Sequence, residues 1–196
     1  MKVMVDIGAG GYPGGNTGHS RTNDSTQIYL FEPGAAAFKV LQSKYKDSPN
    51  YFVSNKAIFN KVGTLDFYLT KKKNCSSLLE PNEKDIFVKD RSDIRTYEIV
   101  QVECSTLEQE LGHLDQIDYL KLDTQGSEYE ILQSAGDLLD RVVEIQCEVE
   151  HTEMYKEQKL ENDINELLTE RGFKQIRKHK VGNHSDVWYI NTKYQK

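Results

Sequence analysis

The sequence predicts an α/β fold in which a mainly parallel sheet is closed by an antiparallel strand pair at its C-terminal end. Three observations carry that prediction. Short apolar runs alternate with segments of helical periodicity up to residue 172. The last two apolar runs have no helix between them, only a turn at Gly182-Asn183, so they pair antiparallel. No repeat or low-complexity linker divides the 196 residues, which sets the expectation of one domain over 1–196.

Taken in order, Val3 to Ile7 reads as the first strand and runs straight into a glycine cluster. Ile28 to Phe31 is the second, ending at Glu32-Pro33-Gly34. Phe38, Leu41 and Tyr45 then recur at helical spacing. Tyr51 to Ile58 reads as a third strand, and Asn60-Lys61-Val62-Gly63 as a turn into a strand over Thr64 to Leu69. Residues 71 to 95 are polar and read as loop, and Ile99 to Val102 as a short strand. Ser105-Thr106-Leu107-Glu108 and Ser127-Glu128-Tyr129-Glu130 are capping-box signals for two helices, flanking a strand over Ile117 to Leu122. The second helix can stop at Gly136. Val142 to Val149 is a strand, and Leu160, Ile164, Leu167 and Leu168 make one apolar helix face ended by Gly172. Phe173 to Lys178 and Asp186 to Asn191 are the closing pair.

Composition narrows the function classes. The formal charge of −6 argues against a phosphate-neutralising surface, so no nucleic-acid partner is expected. No run of about 18 apolar residues is present, and the polar N-terminus does not read as a signal peptide, so no membrane partner is expected. Three cysteines, Cys75, Cys104 and Cys147, are widely spaced and odd in number. They form neither a disulfide framework nor a metal pair, which points to a reducing, cytoplasmic setting. His19 and His184 lack partners at metal spacing, so no metal is assigned. Self-association into a homo-oligomer stays open.

Six of the 13 glycines fall between Gly8 and Gly18. Val5-Asp6-Ile7-Gly8-Ala9-Gly10-Gly11 places an acid at a strand end and then a turn whose backbone can approach a ligand closely. Glu32 ends the next strand, where a carboxylate can accept from both ribose hydroxyls of an adenosine. The dinucleotide fingerprint fits Gly8 and Gly10 but meets Pro13 where its third glycine belongs. Residues 14 to 26 are poor helix formers, whereas a pyrophosphate wants a firm helix N-terminus. These features favour a phosphate-free adenosine cofactor, S-adenosylmethionine (SAM), over a nicotinamide dinucleotide.

A wider set of motifs carries a family resemblance. Asp6-Ile7-Gly8-Ala9-Gly10, Phe31-Glu32-Pro33, Asn55-Lys56-Ala57-Ile58, Gly63-Thr64-Leu65, Cys75-Ser76-Ser77-Leu78 and Lys121-Leu122-Asp123-Thr124-Gln125-Gly126-Ser127-Glu128 stand in the order of FkbM-type methyltransferases. Glu148-Val149-Glu150-His151 and Glu170-Arg171-Gly172-Phe173 resemble that family's C-terminal half. The resemblance implies a Rossmann-like class I methyltransferase fold. It also implies SAM-dependent methyl transfer, usually to a hydroxyl of a sugar, glycan or small metabolite. By position, Asp6, Gly8, Ala9 and Gly10 would line the methionine part of SAM. Glu32, with Pro33 beside it, would hold the ribose, and Asn55, Lys56 and Ala57 would lie near adenine. Asp123 would lie beside the transferred methyl, and Cys75-Ser76-Ser77 would border the substrate channel. Two departures stand out: Gly14 to Ser20 replaces a helix, and Gln125 stands where many members have glutamate.

Methyl transfer to a hydroxyl needs alignment and a positioned base. Asp123, Glu148 and His151 are the candidates, since their strands should end near the cofactor. Along 142–150, Glu144, Gln146, Glu148 and Glu150 alternate with apolar residues, although a central parallel strand is normally apolar on both faces. A polar face there asks for partners or a cleft. Lys71-Lys72-Lys73 reads as a solvated turn that could meet an acidic acceptor. The rival readings are an NAD(P)-dependent oxidoreductase, a non-catalytic SAM-fold binding module and, weakest, a nucleic-acid methyltransferase.

Overall fold

The computed structural model describes residues 1–10 and 25–195. Gly11, Pro13, the Gly14–Gly18 segment and His19 lie outside the described residues.

Among the described residues, ten strands form two sheets. The main one joins β1 (Lys2–Ile7), β2 (Thr26–Phe31), β3 (Tyr51–Ser54), β7 (Ile117–Leu122), β8 (Val142–Glu150), β9 (Phe173–Val181) and β10 (His184–Asn191) in the order β3-β2-β1-β7-β8-β10-β9. All its pairings are parallel except β8 with β10 and β10 with β9. The order reverses between β1 and β7, and such a switch point is where open α/β sheets bind ligands. Because β10 runs against the rest, its first residue, His184, sits at the edge where β7 and β8 end.

Helices bury both faces. Met4, Ile28, Leu30 and Tyr119 pack with Leu41 of α1 (Ala35–Tyr45). Val3, Val5, Ile7, Leu120 and Leu122 face Leu107 and Leu111 of α2 (Leu107–Leu111), Ile131 and Leu132 of α3 (Glu128–Ser134), and Ile164 and Leu168 of α4 (Glu161–Glu170). Each such side chain, fully buried, contributes roughly 1.5–3 kcal/mol. No helix among the described residues is long and apolar enough to cross a membrane.

The segment 51–58 is not one strand. It breaks at Asn55-Lys56: β3 stays in the main sheet, while β4 (Ala57–Ile58) joins a second, three-stranded sheet in the order β4-β6-β5. β5 (Gly63–Thr70) and β6 (Thr96–Ser105) pair antiparallel over almost their whole length, so the strand expected at 99–102 spans ten residues. Residues 71–95 hold a short 3-10 turn at Lys73–Cys75, and Cys75, Val88 and Ile94 form a small core there with Met154. At α2 the cap is Thr106, which accepts from the Gln109 N–H; Ser105 is the last residue of β6. Ser127 caps α3 by position and makes no side-chain cap bond.

Candidate functional site

The carboxyl ends of β1, β2 and β7 open into a cavity of about 580 Å³. One side is Ile7 to Gly10, Glu32 to Gly34 and Lys56 to Ile58. The opposite side comes from the small sheet and the 71–95 segment: Phe67, Leu69, Lys73, Asn74, Ser76 and Leu78. The floor is Lys121, Asp123, Gln125, Glu148 and His184.

Two glycines at the end of β1 do different jobs. Gly8 has φ +78°, and a Cβ there would lie 1.9 Å from the Asp123 carbonyl oxygen. It lets β1 close on the end of β7, where the Asp123 N–H donates to the Ile7 carbonyl at 3.1 Å. Gly10 has φ +65°, and no atom of the other described residues lies within 4 Å of where its Cβ would be. Its N–H donates to Glu32 Oε2 at 2.9 Å, and the Gly34 N–H donates to Glu32 Oε1 at 2.8 Å. Glu32 therefore ties the β1 turn to the start of α1, and each oxygen keeps acceptor capacity for a ligand. Burial outweighs these two bonds and pushes its carboxyl up to about 7.

Lys121 was not anticipated as a site residue. Its side chain is only 8% exposed, with Nζ 3.2 Å from Asp6 Oδ1 and 3.4 Å from Asp123 Oδ2. The register explains the contact: Asp6 and Lys121 are Cα partners on β1 and β7. Burial raises Asp6 to about 6 against the pull of Lys121. Burial also acts to lower the Lys121 ammonium, but the two carboxylates outweigh it and hold it above its usual value. A lysine within a strand core is a signal the sequence did carry, since so buried a cation requires anionic partners.

Asp123 leaves 41% of its side chain open to the cavity. Burial of its carboxyl acts to raise it, but Lys121 and hydrogen bonds from Glu148 and Gln125 hold it low. Glu148, more deeply buried, is pushed the other way by desolvation and by the charges of Asp123, Glu150 and Glu128. Gln125 bridges the pair: its Nε2 donates to Asp123 Oδ1 at 3.0 Å and to Glu148 Oε2 at 2.6 Å. Gln125 sits at φ +61°, a backbone cost that this turn sustains through its own bonds. Ser77 Oγ donates to the Gln125 carbonyl at 2.8 Å, and the Tyr155 hydroxyl lies 3.3 Å from Gln125 Oε1. Buried Glu128 accepts from the Thr124 and Gly126 N–H groups and fixes the same turn.

Of the sequence-predicted site residues, Asp6, Gly8, Ala9, Gly10, Glu32, Pro33, Lys56, Ala57, Asp123 and Glu148 surround or underlie this one cavity. Two do not. Asn55 is exposed at the β3–β4 break and lies off the cavity wall. His151 turns away: its Nε2 lies 2.9 Å from Ser185 Oγ and 3.6 Å from Glu161 Oε2. The histidine on the cavity is His184, with Nε2 3.3 Å from Glu148 Oε1. Lys56 lines the wall while pairing with Glu110 at 2.9 Å and Glu103 at 3.4 Å. Among the described residues no group of His, Cys, Asp and Glu is arranged to hold a metal ion.

Comparison with known proteins agrees with this architecture. A family model described as the methyltransferase FkbM domain matches residues 10–174. No curated protein matches the sequence. Among solved structures, magnesium protoporphyrin IX methyltransferase from Synechocystis PCC 6803, with bound SAM, is similar at TM-score 0.52 and 11% identity, covering 96% of this chain and 69% of that one. Fibrillarin from Aeropyrum pernix, in complex with SAM, gives TM-score 0.54 and 11% identity over 96% of this chain and 66% of that one. An rRNA methylase from Streptococcus thermophilus gives 0.50 and 11% over 97% and 86%. The chain thus spans about two thirds of the length of the first two. At such identity the likeness establishes the class I methyltransferase fold.

Proposed function

The chain belongs to the FkbM methyltransferase family, and from that premise we propose that it is a SAM-dependent enzyme that methylates a hydroxyl of a sugar, glycan or small metabolite. The observation that carries the cofactor reading is the pairing of Glu32 with the Gly10 turn: a buried carboxylate with acceptor capacity left, beside a glycine whose Cβ position meets none of the other described residues. That combination suits a ribose laid against the backbone. Asp6, Ala9 and Gly10 would line the methionine part, and Pro33, Lys56 and Ala57 the adenine side. When bound, SAM supplies an electrophilic methyl group on a positively charged sulfur.

The chain's own residues do the rest. The β5 and 71–95 side, with Phe67, Leu69 and Leu78 among polar Asn74 and Ser76, suits an acceptor with both apolar and hydroxyl surface. Asp123, held ionised by Lys121, is the acceptor-facing carboxylate that accepts a hydrogen bond from the hydroxyl and takes its proton as the oxygen gains the methyl group. Gln125 and Glu148 fix its direction. Alignment of donor and acceptor by these rigid strand ends supplies most of the rate. Calorimetric titration with SAM and S-adenosylhomocysteine tests the cofactor reading; no heat at millimolar ligand would overturn it. Release of S-adenosylhomocysteine in a panel of hydroxylated acceptors tests the rest.

A further inference from the structure

We propose that Glu148 is the residue by which this cavity distinguishes a positively charged ligand from its neutral counterpart, shedding its proton when the cation enters and taking it back when the charge is gone. The inference rests on the cofactor reading above and goes past it. It concerns how SAM, a cation, is separated from S-adenosylhomocysteine, the neutral thioether left after transfer.

The geometry carries the argument. Lys121 is the buried ammonium of the floor, and it is taken up by Asp6 and Asp123 at 3.2 and 3.4 Å. Glu148 is a further carboxyl on the same floor. Its remaining neighbours are Glu128 from α3, Glu150 from its own strand and His184 from β10. Among the described residues the Cys75 thiol and the Tyr155 hydroxyl also lie within its electrostatic reach, and Lys73 lines the same cavity. Ionising Glu148 without a ligand would add a negative charge beside Asp123, Glu128 and Glu150. In its neutral form it donates a hydrogen bond to Asp123, and Gln125 holds both groups with an amide that can donate but cannot accept a proton there. A cation in the cavity reverses this balance, because it pairs with the charge that ionisation creates. The Glu148 O–H bond then breaks. The proton leaves to water at the open side of the floor, where the neighbouring His184 side chain is 36% exposed. When a neutral ligand replaces the cation the proton returns, and the electrostatic hold on the ligand weakens.

Glu32 also sits near neutrality and can exchange a proton on binding. It contacts the part common to both ligands, so the difference between the two titrations isolates the charge effect. The experiment is calorimetry of the whole protein near neutral pH, in two buffers of different ionisation enthalpy, with SAM and with S-adenosylhomocysteine. The expected result is about one more proton released with SAM, and a SAM preference that rises with pH by up to about tenfold per unit while Glu148 is neutral in the free protein. Glu148→Gln should abolish both differences while both ligands still bind. Equal proton counts for the two ligands, or a difference that survives Glu148→Gln, overturns the proposal. Failure of both ligands to bind removes the cofactor reading itself and is thereby told apart. Should the variant fail to fold, carbon-13 labelling of glutamate carboxyls in the unaltered protein decides. A neutral-acid resonance lost with SAM and kept with S-adenosylhomocysteine supports the proposal; identical spectra overturn it.

Discussion

At the scale of single residues, the two glycines at the end of β1 carry separate duties. Gly8 reads as a residue that lets a ligand come close, yet its Cβ space is taken by the Asp123 carbonyl, so its first duty is joining two strands. Gly8→Ala should cost about 2–4 kcal/mol in chemical denaturation, combining a steric clash with an unfavourable φ. Gly10→Ala, which strikes none of the other described residues, should cost nearer to about 1 kcal/mol. Lys121 shows the limit of reading residues along the chain, because its meaning lies in a neighbour 115 positions away. Lys121→Met should destabilise by about 3–5 kcal/mol, since it strands two buried carboxyls. Glu32→Ala should weaken S-adenosylhomocysteine binding tenfold or more, about 1.4 kcal/mol, while Asn55→Ala leaves it nearly unchanged. Equal losses in the two titrations would mean that Glu32 does not hold the ribose.

At the scale of elements, periodicity located most strands and the α4 stripe, because apolar spacing records burial directly. Leu168, fully buried between α4 and β8, should cost about 2–5 kcal/mol when cut to alanine, measurable as a lower denaturation midpoint with unchanged slope. What periodicity hid was the break at Asn55-Lys56, since β3 and β4 are both strand and a change of sheet leaves no mark in an alternating pattern. The capping signals were off in detail for a related reason. At α3 the N-terminal turn is satisfied by the carboxylate of Glu128, not by the hydroxyl of Ser127. The polar face of β8 was legible as an anomaly, and its residues answer it separately: Glu148 reaches the floor, Gln146 bonds Tyr119 and Asp186, and Glu150 accepts from Gln158. The sequence offers His151 as the histidine next to the end of β8; that His184 reaches the floor follows only from the pairing of β10 with β8.

At the scale of the whole molecule, the protonation of the floor couples to folding. Asp6 is raised to about 6, and Glu32 and Glu128 each to about 7, all mainly by burial. These carboxyls hold protons more tightly folded than unfolded. Their contribution to stability is complete below the ordinary carboxylate range, falls as pH rises toward about 7, and levels off above it. Denaturation of the ligand-free protein should therefore give a smaller unfolding free energy near pH 7 than near pH 5. A rise over that interval would contradict the buried-acid account. The two-sheet layout has a consequence of another kind. The chain leaves the main sheet at Asn55 and returns through Ser105, and the two ends of that excursion lie side by side, with Ala57 and Ile58 paired to Cys104 and Ser105. Between them, Phe67, Leu69, Lys73, Asn74, Ser76 and Leu78 build one side of the cavity, while Ile7 to Gly10 and Glu32 to Gly34 help to build the opposite side. The stretch from Phe59 to Cys104 is thus a contiguous cassette with adjoining ends, in which the acceptor side of the cavity could be exchanged while the strand ends that face it are kept.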